Sequence, residues 1–241
     1  MNPRSSPLGA LLLLLLLACG FDRPQAPSTS LPVIQGTLVV GADSQFFRLD
    51  WATSADSSWI GTPDPIPAGL VSLTVSGAGG AQPLVLRPGG GFGVFVITLP
   101  VIAESTYTLS GTVAGIPVSG ATRVPAALIV TAPASDTVIV DQATACGVWC
   151  TLPYQITSTG AAGFSFALED SGGRELWAQE LHANVGQLQF PYYPQVTSLR
   201  LMAMDANLVA FRATEVPHSS LEGAFGLFGS LTAIARVVRW Q

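Results

Sequence analysis

Apolar and polar side chains alternate with period two in short runs, and each run is closed by Gly, Pro, Asp or Ser. Val71, Leu73 and Val75 face one way, and Ser72, Thr74 and Ser76 the other. Phe47, Leu49 and Trp51 alternate with Phe46, Arg48 and Asp50, and Tyr107, Leu109 and Val113 continue the pattern. Successive side chains of an extended chain point to opposite faces, so this period belongs to strands with one buried face. Residues 33–40, 127–131, 137–140, 152–157, 163–168, 197–204 and 208–213 are read as further strands, and 92–98, apolar on both faces, as a central one. Residues 174–183 have no clean face, which leaves a strand or a helical turn open. The glycine runs at 77–80 and 89–91 are read as hairpin turns.

With 25 glycines and 18 prolines in 241 residues, the chain is interrupted too often for a helical bundle. Turn signals recur roughly every 8 to 15 residues, which predicts an all-β fold. The expectation is one or two antiparallel β-sandwich domains, immunoglobulin/transthyretin-like, behind a lipid-anchored tether. The division expected is 1–18 signal peptide, 19–32 tether, 33–125 N-terminal β-sandwich and 126–241 C-terminal β-rich domain, with one continuous sandwich as the alternative.

The tether expectation rests on the N-terminus. Arg4 precedes an apolar stretch with seven consecutive leucines at 11–17, ending Leu17-Ala18-Cys19-Gly20. A bilayer span needs about 20 apolar residues, so this shorter stretch reads as the hydrophobic core of an export signal. Its end resembles the lipobox of bacterial lipoproteins, which implies lipidation at Cys19. Gly20, where an Asp would favour inner-membrane retention in that pattern, leans toward the outer membrane, with the periplasmic or surface face left open. Residues 20–32, rich in Pro and Ser, form the tether. Residues 223–235 are the most apolar later stretch and are too short to span.

Composition removes several functions. All ten basic residues are arginine, 15 residues are acidic and the net charge is −5, so no nucleic-acid partner is expected. A chain 49% apolar and 10% charged has enough to bury and is not a disordered polyelectrolyte.

Little in the sequence points to chemistry. Cys146-Gly-Val-Trp-Cys150 has three intervening residues, where thioredoxin-type redox motifs have two, and a zinc site would want two more close ligands. A structural disulfide is the expected state in an oxidising envelope, with free buried thiols as the alternative. Glu180 and His182 share a strand face if extended, either as an acid–base pair or as an exposed pair. His218 sits in a loop. Gly163-Phe-Ser165-Phe-Ala167 lacks the last glycine of a nucleophile elbow, and the phenylalanine alternation makes Ser165 outward-facing. Glu169-Asp-Ser-Gly-Gly173 has the chemistry of a hairpin turn rather than the spaced ligands of a calcium loop. Gly89-Gly-Gly-Phe-Gly93 lacks the Lys and Ser/Thr of a phosphate loop. No catalytic residue, cofactor or metal is expected. Trp51 and Trp59, flanked by Asp50, Asp56 and Asp64, and the pair Tyr192-Tyr193 are read either as a ligand platform or as core aromatics.

The order of motifs carries a resemblance. Ala68 to Val75, a Gly-rich turn, Phe92 to Thr98, Ser105-Thr-Tyr-Thr-Leu109 and Ala121-Thr-Arg-Val-Pro125 come in sequence, and Ala203-Met-Asp-Ala-Asn-Leu208 and Ser220-Leu-Glu-Gly-Ala-Phe-Gly-Leu-Phe-Gly-Ser230 close the chain. This resembles the bacterial lipoproteins grouped as domain of unknown function 4249. Ala224 and Ser220 depart from the closing pattern, and residues 140–195 have no counterpart. The resemblance implies an all-β, lipid-anchored protein and brings no activity. In the closing block, Phe225 and Phe228 are expected to fill the core, while Gly223, Gly226 and Gly229 let neighbouring backbone approach.

Two functions follow. The first is a non-catalytic envelope lipoprotein that scaffolds or binds a partner, membrane-held through its lipid, with an outer-membrane receptor or transporter as that partner. The second is a surface lipoprotein capturing carbohydrate or peptide for an uptake system. Exposed aromatics favour the second and buried ones the first.

Overall fold

Most of the strands read from the alternation form, and further ones stand at 116–123, 185–190 and 231–240. A computed structural model describes residues 31–52, 64–89, 93–141, 146–147, 149–213 and 219–241. Cys19 and the signal region, Trp59 and His218 lie outside these residues. The first half holds β1 (Pro32–Val39), β2 (Gln45–Trp51), β3 (Asp64–Pro65), β4 (Val71–Gly77), β5 (Gly80–Pro83), β6 (Val85–Leu86), β7 (Val94–Ile97), β8 (Thr106–Val113) and β9 (Ile116–Arg123). After it come β10 (Ile129–Ala132), β11 (Thr137–Val140), β12 (Cys150–Thr157), β13 (Gly163–Glu169), β14 (Glu175–Leu181), β15 (Val185–Phe190) and β16 (Ser198–Met204). Helix α1 (Ala206–Ala213), β17 (Leu221–Glu222) and β18 (Phe225–Trp240) complete the chain.

These strands build an all-β fold of three sheets. The largest runs β14-β13-β16-β18-β1-β2-β7-β6, with β11 also on β18 and β3 on β2. The others run β17-β9-β8-β4-β5 and β10-β12-β15. Most pairs are antiparallel; β1 and β11 both join β18 in parallel.

Two cores result. In the first, Ile34, Phe47, Leu49 and Phe95 of the large sheet meet Leu73, Val75, Tyr107 and Leu109 of the five-stranded sheet. In the second, Val138, Phe166, Leu199 and Leu201 meet Cys150, Tyr154, Ile156 and Leu188 of the three-stranded sheet. Leu221 and Phe228, far along the chain, belong to the first core, because the opening half of β18 pairs with β1 from Val33–Phe225 to Val39–Leu231. The closing half pairs with β16 and then β11, and Val238 sits in the second core.

Three local expectations are corrected. Residues 208–213 are helical rather than extended. Asp205 accepts a hydrogen bond from the Leu208 amide at its Oδ1 (2.9 Å), the geometry of a helix N-cap. The helix buries Leu208 against Met204 and Leu227 on the outer face of the large sheet. A short apolar run reads the same in either conformation until the cap is known. Ser165 is fully buried, not outward, and its hydroxyl lies 3.7 Å from Met204 Sδ, because that face of β13 is also covered. Phe225 is only half-buried, whereas Phe228 is fully buried and stacks on Phe47 with centroids 6.2 Å apart. The ambiguous 174–183 segment is a strand, β14.

Two glycines of the closing block are positional. Gly226 has φ +128°, and a Cβ there would lie 2.0 Å from the Ile34 carbonyl oxygen. Gly223 has φ +73°, and its Cβ would lie 1.8 Å from the Pro117 carbonyl oxygen. Only glycine fits such contacts at positive φ.

Phe228→Ala is therefore expected to lower stability by about 3–5 kcal/mol, the usual cost of emptying a buried aromatic site. Gly226→Val should also melt lower, since its side chain collides with backbone. Thermal melts of the two variants check this, and wild-type melting of both would take the segment out of the core.

Candidate functional site

The register of the three-stranded sheet collects aromatics at one end of the second sandwich. Cys150 opens β12 and pairs with Phe190, which closes β15, so Trp149 and Tyr192 leave the sheet at the same end. Cys146 and Cys150 are joined by a disulfide (S–S 2.09 Å) that closes the short loop carrying Trp149. Trp149 is 47% exposed, and its ring lies 5.8 Å from that of Trp177 at an interplanar angle of 58°. Trp177 stands on β14, the edge strand of the large sheet, and its indole N–H is buried without an acceptor among the described residues. Leaving such a donor unsatisfied costs about 1–3 kcal/mol.

Farther along, Tyr192 is 38% exposed and stands edge-on to Trp240 at 4.9 Å. Trp240 donates its indole N–H to the Val196 carbonyl (3.1 Å) and touches Phe190, which meets Phe166 in the core. The rim is thus backed by packed aromatics. Tyr193 is half-buried on the second core, and Trp51 half-buried on the first. Trp51 and the Tyr192-Tyr193 pair therefore stand on different cores, and Trp59 lies outside the described residues. Trp149 and Trp177 were missed as rim residues, although the tryptophan inside the Cys146–Cys150 loop was a visible signal.

A second surface lies on the outer face of the first sandwich. Val85, Val96 and Phe46 stand directly opposite one another across β6, β7 and β2. Phe46 is 47% and Val85 56% exposed, where the outer face of an antiparallel sheet is ordinarily polar. The Arg87 guanidinium sits 5.0 Å above the Phe46 ring. Beside Phe46 opens a cleft of about 470 Å³ between β1 (Gln35, Thr37, Val39) and α1 (Phe211, Arg212), with no acidic residue in its lining.

The candidates for chemistry stand apart. Glu180 is half-buried, and His182 is exposed just beyond the end of β14. Among the described residues no three His, Cys, Asp or Glu side chains gather as a metal site would require. Glu169 to Gly173 is the hairpin turn read from sequence. Asp170 Oδ1 accepts the amides of Gly172 (2.9 Å) and Arg174 (3.0 Å), and Gly173 has φ +76°. Gly89, at φ +65°, is also in a turn.

No family model matches the chain, and no curated protein matches it either. Among solved structures it is similar to a chimeric titin Z1Z2-Z1Z2 tandem functionalized with a GRGDS peptide from fibronectin, at 9% identity over 87% of this chain and 96% of that one, with a TM-score of 0.28. The BSP domain of a biofilm associated protein matches at 11% identity over 86% of this chain and 29% of that one, TM-score 0.23. Immunoglobulin domains 1–4 of Sidekick-1 match at 11% identity over 88% and 49% of the two chains, TM-score 0.25.

Two measurements check this geometry. Peptide mapping without reduction should find residues 146 and 150 in a species two hydrogens lighter than the dithiol. Because the closed loop is short, reduction should cost only about 2 kcal/mol and leave the protein folded. The Arg174 amide hydrogen bond, above all, holds the Asp170 carboxyl below its ordinary range, with the Gly172 amide and the Arg174 charge adding to it. A depressed folded pKa means that this contribution to stability is present above the unfolded pKa and is lost as pH falls through the folded value. A carboxyl carbon titration by NMR should place the Asp170 midpoint below those of exposed aspartates.

Proposed function

We propose that this chain is a non-catalytic cell-envelope lipoprotein, held to the outer membrane through Cys19, whose paired sandwiches bind a partner. The observation that carries the reading is the apolar row Val85–Val96–Phe46 on a sheet face that water should own. Contiguous exposed apolar surface rimmed by polar groups is the ordinary mark of an interaction site. Arg87 and Arg212 flank the row and its cleft without an acidic neighbour in the lining, so the partner offers apolar side chains with carboxylates beside them. A receptor or transporter of the outer membrane is the partner class that fits a lipid-held module. The leucine run before Ala18-Cys19 and the Pro/Ser segment after it support the anchor, as does the order of motifs that resembles the domain of unknown function 4249 lipoproteins.

The test has two arms. Wild-type protein should take up radioactive fatty acid and Cys19→Ser should not; equal labelling ends the anchor claim. Affinity capture from detergent-solubilised outer membrane should recover a membrane protein with the wild type and lose it with Phe46→Asp, while the variant melts within a degree or two of wild type. Recovery of the same protein by both would move the partner site elsewhere.

A further inference from the structure

We infer that the aromatic end of the second sandwich is a binding site for a neutral saccharide chain, separate from the partner-docking face. Trp149 and Tyr192 are the two exposed rings there, and each rests on a half-buried indole, Trp177 and Trp240. Exposed rings on rigid supports suit pyranose rings, whose C–H faces stack on aromatic faces while their hydroxyls reach polar tips. The polar tips of these rings are uncharged. They are the Tyr192 hydroxyl and the two indole N–H groups of Trp149 and Trp177. The third, that of Trp240, is already committed to Val196. The Trp177 N–H is buried with no acceptor among the described residues, and its ring neighbours that of Trp149. A saccharide hydroxyl supplies that acceptor when the Trp149 ring tilts outward, so ligand binding relieves an unsatisfied donor as well as covering apolar surface.

The disulfide points the same way. A bridge across so short a loop removes little entropy from the unfolded chain, so global stability gives it a small role. What it does is fix the backbone that presents Trp149. A loop backbone fixed before the ligand arrives leaves only the Trp149 side chain to adjust, which spares part of the ordering cost that would otherwise weaken binding.

The experiment is a titration of the full-length protein, followed by tryptophan fluorescence, with maltohexaose, cellohexaose and chitohexaose. At least one should give a saturable change. Trp149→Ala should weaken that binding at least tenfold with unchanged melting. Trp177→Phe keeps an aromatic face but removes the unsatisfied donor, and should bind several-fold more weakly while melting no lower than wild type. The double variant Cys146→Ser/Cys150→Ser should fold and bind more weakly. No saturable change with any of the three sugars overturns the inference. So does wild-type binding by Trp149→Ala, or a saturable response to a proline-rich peptide alone. Phe46→Asp should titrate as wild type, so failure of the partner site and failure of this one are read separately.

Discussion

Strand β18 carries the ladder of β1 along its first half and the ladders of β16 and β11 along its second, so neither core closes without it. At about 3.3 Å per residue its 16 residues reach about 50 Å, enough to run through two sandwiches in turn. Its inward residues change allegiance on the way, with Phe228 buried against Phe47 and Val238 against the second core. The strand can lie beside β1 only because Gly226 presents no side chain to the Ile34 carbonyl. One missing methyl group thus admits the element on which both halves depend.

A buried polar cluster secures the same strand from the side. Asp205, at the end of β16, accepts the Leu208 amide on one carboxyl oxygen and the Thr122 hydroxyl of β9 on the other. Its own amide donates to the Ser230 carbonyl, and the Ser230 hydroxyl lies 2.8 Å from that of Thr122. Asn207 donates to the carbonyls of Ala121 and Phe228. Elements of both sandwiches therefore meet β18 through groups that could not be buried unpaired without a cost. Asp205 also caps the helix whose Leu208, Phe211 and Arg212 form one wall of the cleft, so the cluster that joins the halves positions that wall as well.

The strands were legible because one-sided burial imprints period two. β2, β8 and β11 occur where the alternation placed them. What sequence could not supply was pairing across long separations. Nothing local says that residues 225–231 lie beside residues 33–39, so the closing block could be read as packed without revealing which core it fills. The helix at Ala206–Ala213 was missed for a local reason. Asp205 caps the helix through the Leu208 amide, but the apolar run after it is too short for periodicity to decide between helix and strand. The aromatic rim depends on register, since Trp149 and Tyr192 share an end only through the Cys150–Phe190 pairing. The pair Tyr192-Tyr193 is adjacent in the chain, yet only Tyr192 is exposed while Tyr193 is half-buried, because chain neighbours need not be exposed together.

The scarcity of charge gives the exposed apolar surfaces their meaning. Only 10% of residues are charged, and none is lysine, so little is available to guard the sheet edges against other strands. The edges are managed by other means. β6 and β17 are two residues long, β5 ends in Pro83, β10 and β15 are each followed by a proline, and β14 carries Glu175 and Glu180. Length, proline and the few acids are thus spent where association would be indiscriminate. Against edges kept so short, Phe46 and Val85 on one face and Trp149 on one end are not leftovers of a generally apolar surface. Phe46 sits on β2 inside the sheet and Trp149 on a clamped loop, where approach requires a matching shape rather than any free strand, and Val85 lies on β6, an edge too short to template one; that is what separates a recognition surface from an aggregation site.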